Sequence, residues 1–256
     1  WSYNPLRIAY WQEGNNNKDG YESNLKSTMD FAMQKAISEG ILEEENWNTG
    51  LIKIYENLAN DFYYSDPKSL LIFNDNHDMS RIYTQMKEDI PKTKMAIGLM
   101  LVLPRIPQIL YGTEILMEDS AKPGDHGLIR TDFPGGWKND NTNAFSGENM
   151  NDNQLEMQNY IKTILNFRKN SKAIHYGRTL HYAPIEGVYL ISRKKDDETV
   201  IYIVNKNKSS KELDLNRFNQ LGVNNMIFEE VYTKEKYKWE NSITLKKNSA
   251  IILTNR

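Results

Sequence analysis

The residues best suited to chemistry stand together in Phe73-Asn74-Asp75-Asn76-His77-Asp78. An amide, an imidazole and a carboxylate occupy three successive positions, directly after Leu70-Leu71-Ile72-Phe73, an apolar run of strand length. Such a run, with Asp66-Pro67 before it and polar residues after it, predicts a strand buried on both faces of a parallel sheet. Ligands of α/β folds bind at the carboxyl ends of those strands. Three chemistries fit Asn76-His77-Asp78. The side chains can cap the next helix and satisfy loop amides. They can ligate metals together with Gly124-Asp125-His126-Gly127, although a dinuclear phosphoesterase centre needs more ligands than His77, His126, His175 and His181 help to supply. Or His77 and Asp78 can grip sugar hydroxyls while the anion supports an oxocarbenium-like transition state.

The elements that must position these residues follow from periodicity. Up to about residue 174, helical stretches alternate with short apolar runs, as in βα units. Residues 25–31 read as a first strand. From about Ala32 the pattern is helical, with Trp47, Leu51, Ile54, Tyr55 and Leu58 at helical spacing. Residues 92–103 are apolar nearly all round and predict a buried helix stopped by Pro104. Residues 106–111 form the next strand. The Gly-, Asp- and Asn-rich stretch 118–153 is a long loop of the kind that carries function, and residues 155–170 return to helix, ending on Arg168 and Lys169. From Lys172 the composition turns β-rich, in the runs 187–192, 199–204, 226–232 and 250–254, separated by polar turns. The expected division is therefore 1–171, α/β, and 172–256, a small antiparallel all-β domain.

In this company the Asn-His-Asp triplet resembles a signature of the α-amylase family of glycoside hydrolases, in particular its neopullulanase- and cyclomaltodextrinase-like members. Phe73 to Asp78 is similar to the family's motif at the end of the seventh barrel strand. Arg105-Ile-Pro-Gln-Ile-Leu-Tyr-Gly-Thr-Glu114 resembles the eighth-strand motif, with Arg105 where Gly is common. Arg130-Thr-Asp-Phe-Pro-Gly-Gly-Trp137 resembles the loop after that strand, and Asn166-Phe-Arg-Lys-Asn-Ser-Lys-Ala-Ile-His-Tyr-Gly177 the last barrel helix and its exit. The likeness covers essentially the whole chain. It implies the C-terminal part of a (β/α)8 TIM barrel followed by an all-β C-terminal sandwich, acting on α-glucosidic bonds of starch, pullulan or maltooligosaccharides.

The resemblance also implies roles. Asp78 stabilises the transition state and His77, with Asn76, binds the sugar. The Asp nucleophile and Glu acid/base of a retaining hydrolase, about 5–5.5 Å apart, would lie upstream of Trp1, which resembles the position just after the acid/base. The chain opens on Trp1 rather than Met, so its N-terminus reads as a cut end. Glu13, Asp30, Glu114 and Asp132 are poor substitutes for the two carboxylates: Glu114 reads as a buried structural partner, Asp30 as the end of the sixth strand, the others as loop residues. With three strands of eight, the expectation is a missing barrel half or self-association. Tyr10, Trp11 and Trp137 are candidate sugar-stacking residues, Trp47 and Tyr111 read as core, and Arg81 as a surface cap. No cofactor and no metal site are expected in this chain, calcium being possible in the intact enzyme. The alternatives are a non-catalytic carbohydrate-binding or scaffold fragment, or a transglycosylating relative.

Composition narrows the partner. Thirty-two Lys+Arg against 34 Asp+Glu leave a net charge of -2, which gives no electrostatic case for nucleic acid or an anionic membrane. A neutral glucan fits. No apolar run approaches the roughly 18 residues of a membrane span. The absence of Cys excludes disulfides and thiolate chemistry. It leaves the compartment open, with a periplasmic or extracellular site suiting a polysaccharide substrate.

Overall fold

A computed structural model describes all residues, 1–256. Most of its helices begin where the sequence offers side-chain caps. After the short α1 (Pro5–Tyr10), α2 (Phe31–Leu42) starts behind Asp30, whose carboxylate accepts from Met33 N. Residues 25–31 are therefore not a strand. Only Met29 pairs, as a single parallel bridge to Leu71, because the chain turns at Asp30 to cap the helix. The helical pattern beyond Ala32 divides in two, α2 and α3 (Ile52–Ala59), around a turn whose Gly50 has φ +81°. Trp47 lies in that turn and is 93% exposed, so it is not core.

The apolar run forms β1 (Leu71–Ile72). After α4 (Ile82–Gln85) comes α5 (Ile90–Val102), capped by Asp89, buried nearly all round, and ended before Pro104 as its sequence predicts. Next is β2, which is shorter than expected: only Ile106–Pro107 pairs, parallel to β1, with Leu71 opposite Ile106. Met29, β1 and β2 are thus three neighbouring parallel segments, joined by α2 and by α5. A polar loop, Asn74 to Ser80, leaves the carboxyl end of β1. The long loop holds a single short helix, α6 (His126–Ile129), before α7 (Asp152–Asn170), which opens on an Asn151/Gln154 capping box.

A short α8 (Lys172–Tyr176) leads into β3 (Arg178–Ile185), β4 (Val188–Lys195), β5 (Glu198–Asn205), β6 (Lys211–Asp214), β7 (Ile227–Glu230), β8 (Lys236–Lys238), β9 (Ser242–Leu245) and β10 (Ser249–Thr254). Six of them form an antiparallel sheet in the order β3-β4-β5-β10-β7-β8, and β6 and β9 form a second, two-stranded sheet. Strand alternation divides the core. Leu190, Ile201 and Ile203 face Phe218, Phe228, Trp239 and Ile243, and make the interior of the β sandwich. Tyr189, Ile191, Val200, Tyr202 and Val204 face the other way and share one core with α2, α3, α5 and α7. The Tyr202 hydroxyl donates to Met95 O at 2.8 Å and so fixes β5 to α5.

Candidate active site

Phe73 closes β1, fully buried and edge-on to Phe31 at 5.0 Å, and the chain then emerges as Asn74 to Ser80. Three acceptors shape this loop. The Asn76 side-chain oxygen accepts from Asp78 N at 2.8 Å. The buried Asp75 carboxylate accepts from Ile82 N at 2.7 Å and from the Thr113 hydroxyl at 3.1 Å, tying the start of α4 to the loop after β2. Burial pushes Asp75 up to about 6, against the lowering effect of these bonds and of the Arg81 charge. Asp119 accepts from Arg81 N at 3.0 Å and from Gly124 N at 2.8 Å; burial works to raise its carboxyl, and these hydrogen bonds hold it below the usual range.

Arg81 is not a surface cap. It is wholly buried, and its Nε and Nη2 donate to Ile129 O at 3.0 and 2.7 Å while Nη1 donates to Tyr111 O. Its guanidinium also lies over the Tyr111 ring, 4.9 Å from the centroid. Tyr111 itself is 43% exposed rather than core. A buried cation satisfied by carbonyls of two loops locks those loops to the start of α4.

On this base His77 and Asp78 stand exposed at the rim. The Asp78 carboxylate is 2.8 Å from Arg130 Nη2 and 3.4 Å from His77 Nε2. Arg130 Nε donates to His77 O at 2.9 Å, and Arg130 Nη2 is 3.2 Å from His126 Nδ1. The Asn-His-Asp and Gly-Asp-His-Gly segments therefore meet through the Arg130 guanidinium. No group of three or more His, Asp or Glu is gathered in a way that could hold a metal ion.

The other candidates are placed apart. Tyr10 and Trp11 pack edge to face at 4.9 Å, Tyr10 stacks on Tyr21 at 5.1 Å, and the Tyr10 hydroxyl donates to Asp19. They line an open cleft of about 670 Å³ with Trp1, Leu6, Met29 and Phe31. Phe31 links that cleft to buried Phe73. Trp137 is 67% exposed in a turn held by Asp140, and none of the contacts of Asp78 is to it. Asp30 is removed from the list of carboxylates: it is buried, capping α2 and pairing with Arg105 Nε at 3.1 Å. Arg105, which replaces a common Gly, also pairs with Asp61. Glu114 is half-buried, not buried.

Arg130 joins this rim, and residue-by-residue reading of the sequence does not single it out. It lies 52 positions from Asp78, and its only local signal was its place at the head of a Gly-rich loop motif.

A parallel strand set with a polar loop at the carboxyl end of β1, followed by an antiparallel sandwich, is consistent with part of a βα barrel followed by a C-terminal β domain. Residues 10–154 match the family described as alpha amylase, catalytic domain, and residues 179–254 match the cyclo-malto-dextrinase C-terminal domain. The chain belongs to the α-amylase family. A cyclomaltodextrin glucanotransferase of Thermoanaerobacterium thermosulfurigenes is 26% identical over 216 residues, 82% of this chain and 27% of that protein. An alpha-amylase of Niallia circulans is 26% identical over 216 residues, 82% of this chain and 37% of its own length. The alpha-amylase of Geobacillus thermoleovorans, solved in complex with acarbose, shares the fold at TM-score 0.76 and 20% identity, over 99% of this chain and 51% of that one. The chain thus spans about half the length of that structure and a smaller share of the two curated relatives.

Proposed function

We propose that this chain is the C-terminal part of a retaining α-glucan hydrolase acting on α-glucosidic bonds of starch, pullulan or maltooligosaccharides. One observation carries the reading: Asp78 is held at the carboxyl-end rim of β1 by Arg130 and His77, exposed to whatever binds there. An oriented carboxylate in that place stabilises the positive charge that grows on the sugar ring as the glycosidic bond breaks. His77 and Asn76 serve the same sugar, His77 by donating to a hydroxyl and Asn76 by fixing the turn that presents Asp78. Tyr10, Trp11 and Trp137 offer ring faces to neighbouring glucose units. The nucleophile and acid/base come from barrel strands that pair beyond Met29 and β2, and residues 1–171 and 172–256 act as barrel portion and sandwich. The names of the relatives, amylases and glucanotransferases, support the substrate class.

A second reading, a non-catalytic carbohydrate-binding fragment, is favoured by the company of Asp78: its side-chain partners are a guanidinium and an imidazole, with no second carboxylate. Reducing-sugar release from maltoheptaose by the full-length protein decides between the two. Release that falls with Asp78→Asn supports hydrolysis; saturable binding without release supports the fragment.

A further inference from the structure

Arg130, which carries Asp78, is itself held on both sides. The carbonyl before it, Ile129 O, accepts from Arg81 Nε and Nη2 at 3.0 and 2.7 Å, and the carbonyl after it, Thr131 O, accepts from the Tyr111 hydroxyl at 3.0 Å. Arg81 also holds Tyr111, by donating from Nη1 to its carbonyl and by lying over its ring, 4.9 Å from the centroid. Gly112 leaves the room for this approach: at φ +85°, a Cβ there would stand 3.0 Å from Arg81 Nη1. The contacts close a ring. Arg81 follows closely on Asp78 in the chain, its side chain holds the residue before Arg130, and the Arg130 side chain returns to Asp78 at 2.8 Å and to His77 O at 2.9 Å.

The Arg81 guanidinium is wholly buried, and its hydrogen bonds go to main-chain carbonyls rather than to a carboxylate. A cation so placed gives up its hydration without gaining an ion pair. What it gains is geometry, since a rigid fork fixes two loops relative to a third. The Tyr111 hydroxyl bond lies at the surface instead, where water competes for both groups and the bond adds little to stability. We propose that Arg81 and Tyr111 are positioning residues that set Arg130 and, through it, the carboxylate of Asp78. The clamp rests on these contacts; its effect on the rate rests on the proposed function.

The test is Tyr111→Phe in the full-length protein, which removes one hydroxyl and keeps both the ring over Arg81 and the carbonyl. Its kcat on maltoheptaose should fall about three- to tenfold, the worth of one hydrogen bond, with the urea midpoint unchanged. The same substitution made in Arg130→Gln should cost less than about twofold, because the residue it acts through is gone. Arg81→Lys, which keeps the charge and loses the fork, should lower kcat at least as far as Tyr111→Phe. Wild-type rates in these single variants, or equal losses from Tyr111→Phe with and without Arg130, would overturn the proposal. A second readout needs no turnover: in protein with nitrogen-labelled arginine, the NMR signal of Arg130 Nε–H, assigned by its loss in Arg130→Gln, should exchange with water faster in Tyr111→Phe. The two readings fail separately. If the full-length protein cleaves no glucan while that signal responds, the clamp stands. If Asp78→Asn abolishes hydrolysis while Tyr111→Phe moves neither rate nor signal, only the clamp falls.

Discussion

Arg130 holds Asp78 and the carbonyl of the preceding residue, His77, with one guanidinium, at 2.8 and 2.9 Å. The fork fixes both the charge and the backbone of the rim, which a point charge cannot do.

Arg130→Gln in the full-length protein should therefore lower kcat on maltoheptaose roughly tenfold, and Arg130→Lys should restore only part of it. Stability should move by less than about 1 kcal/mol, because the pair is exposed. Steady-state kinetics beside urea melts separate the two effects. Unchanged kcat in Arg130→Gln would remove the arginine from the site.

Asp75 gives stability a pH dependence of known sign. Its folded carboxyl titrates near 6, above its ordinary range, because burial disfavours the anion. The folded state therefore binds this proton more tightly than the unfolded state. The contribution is full below the ordinary carboxylate range and is lost as pH rises through about 6, a change of up to about 3 kcal/mol. Urea midpoints between pH 4 and pH 7 should fall more steeply for the wild type than for Asp75→Asn; equal slopes contradict the assignment.

Arg105 sits between Asp30 and Asp61, and both it and Asp30 are almost wholly buried. Arg105→Gly restores the residue common in the motif but strands two carboxylates, so it should destabilise by about 3–5 kcal/mol. Adding Asp30→Asn and Asp61→Asn should recover part of that loss. Denaturant melts of the single and triple variants test this coupling.

The Tyr202 hydroxyl joins the β domain to Met95 on α5 inside a shared core. Tyr202→Phe should cost about 1–1.5 kcal/mol and leave a single unfolding transition. Two separate transitions would show that the parts unfold independently.

Much of this was legible in the sequence because it is local. The run 70–73 marked a strand, the apolar stretch 92–103 with Pro104 after it marked α5 and its end, and the β-rich runs after residue 172 marked the sandwich. What was not legible depends on distant partners. Arg81 reads as polar and exposed, but carbonyls 30 and 48 residues away accept its protons and let it be buried. Trp47 has helical spacing from Leu51, yet the turn before Gly50 turns it to solvent. Residues 25–31 look like a strand until Asp30 is spent as a cap. Of the site residues, Asn76, His77 and Asp78 come together as one rim, and Tyr10, Trp11 and Trp137 do not join it by direct contact.

The central claim is that Asp78 stabilises the transition state of α-glucosidic cleavage. The most direct measurement is the rate of maltoheptaose hydrolysis by the full-length protein carrying Asp78→Asn, with acarbose affinity measured alongside. The predicted result is a loss of at least about 10²-fold in kcat, with the fold intact by circular dichroism. Near-wild-type hydrolysis by Asp78→Asn would contradict the claim.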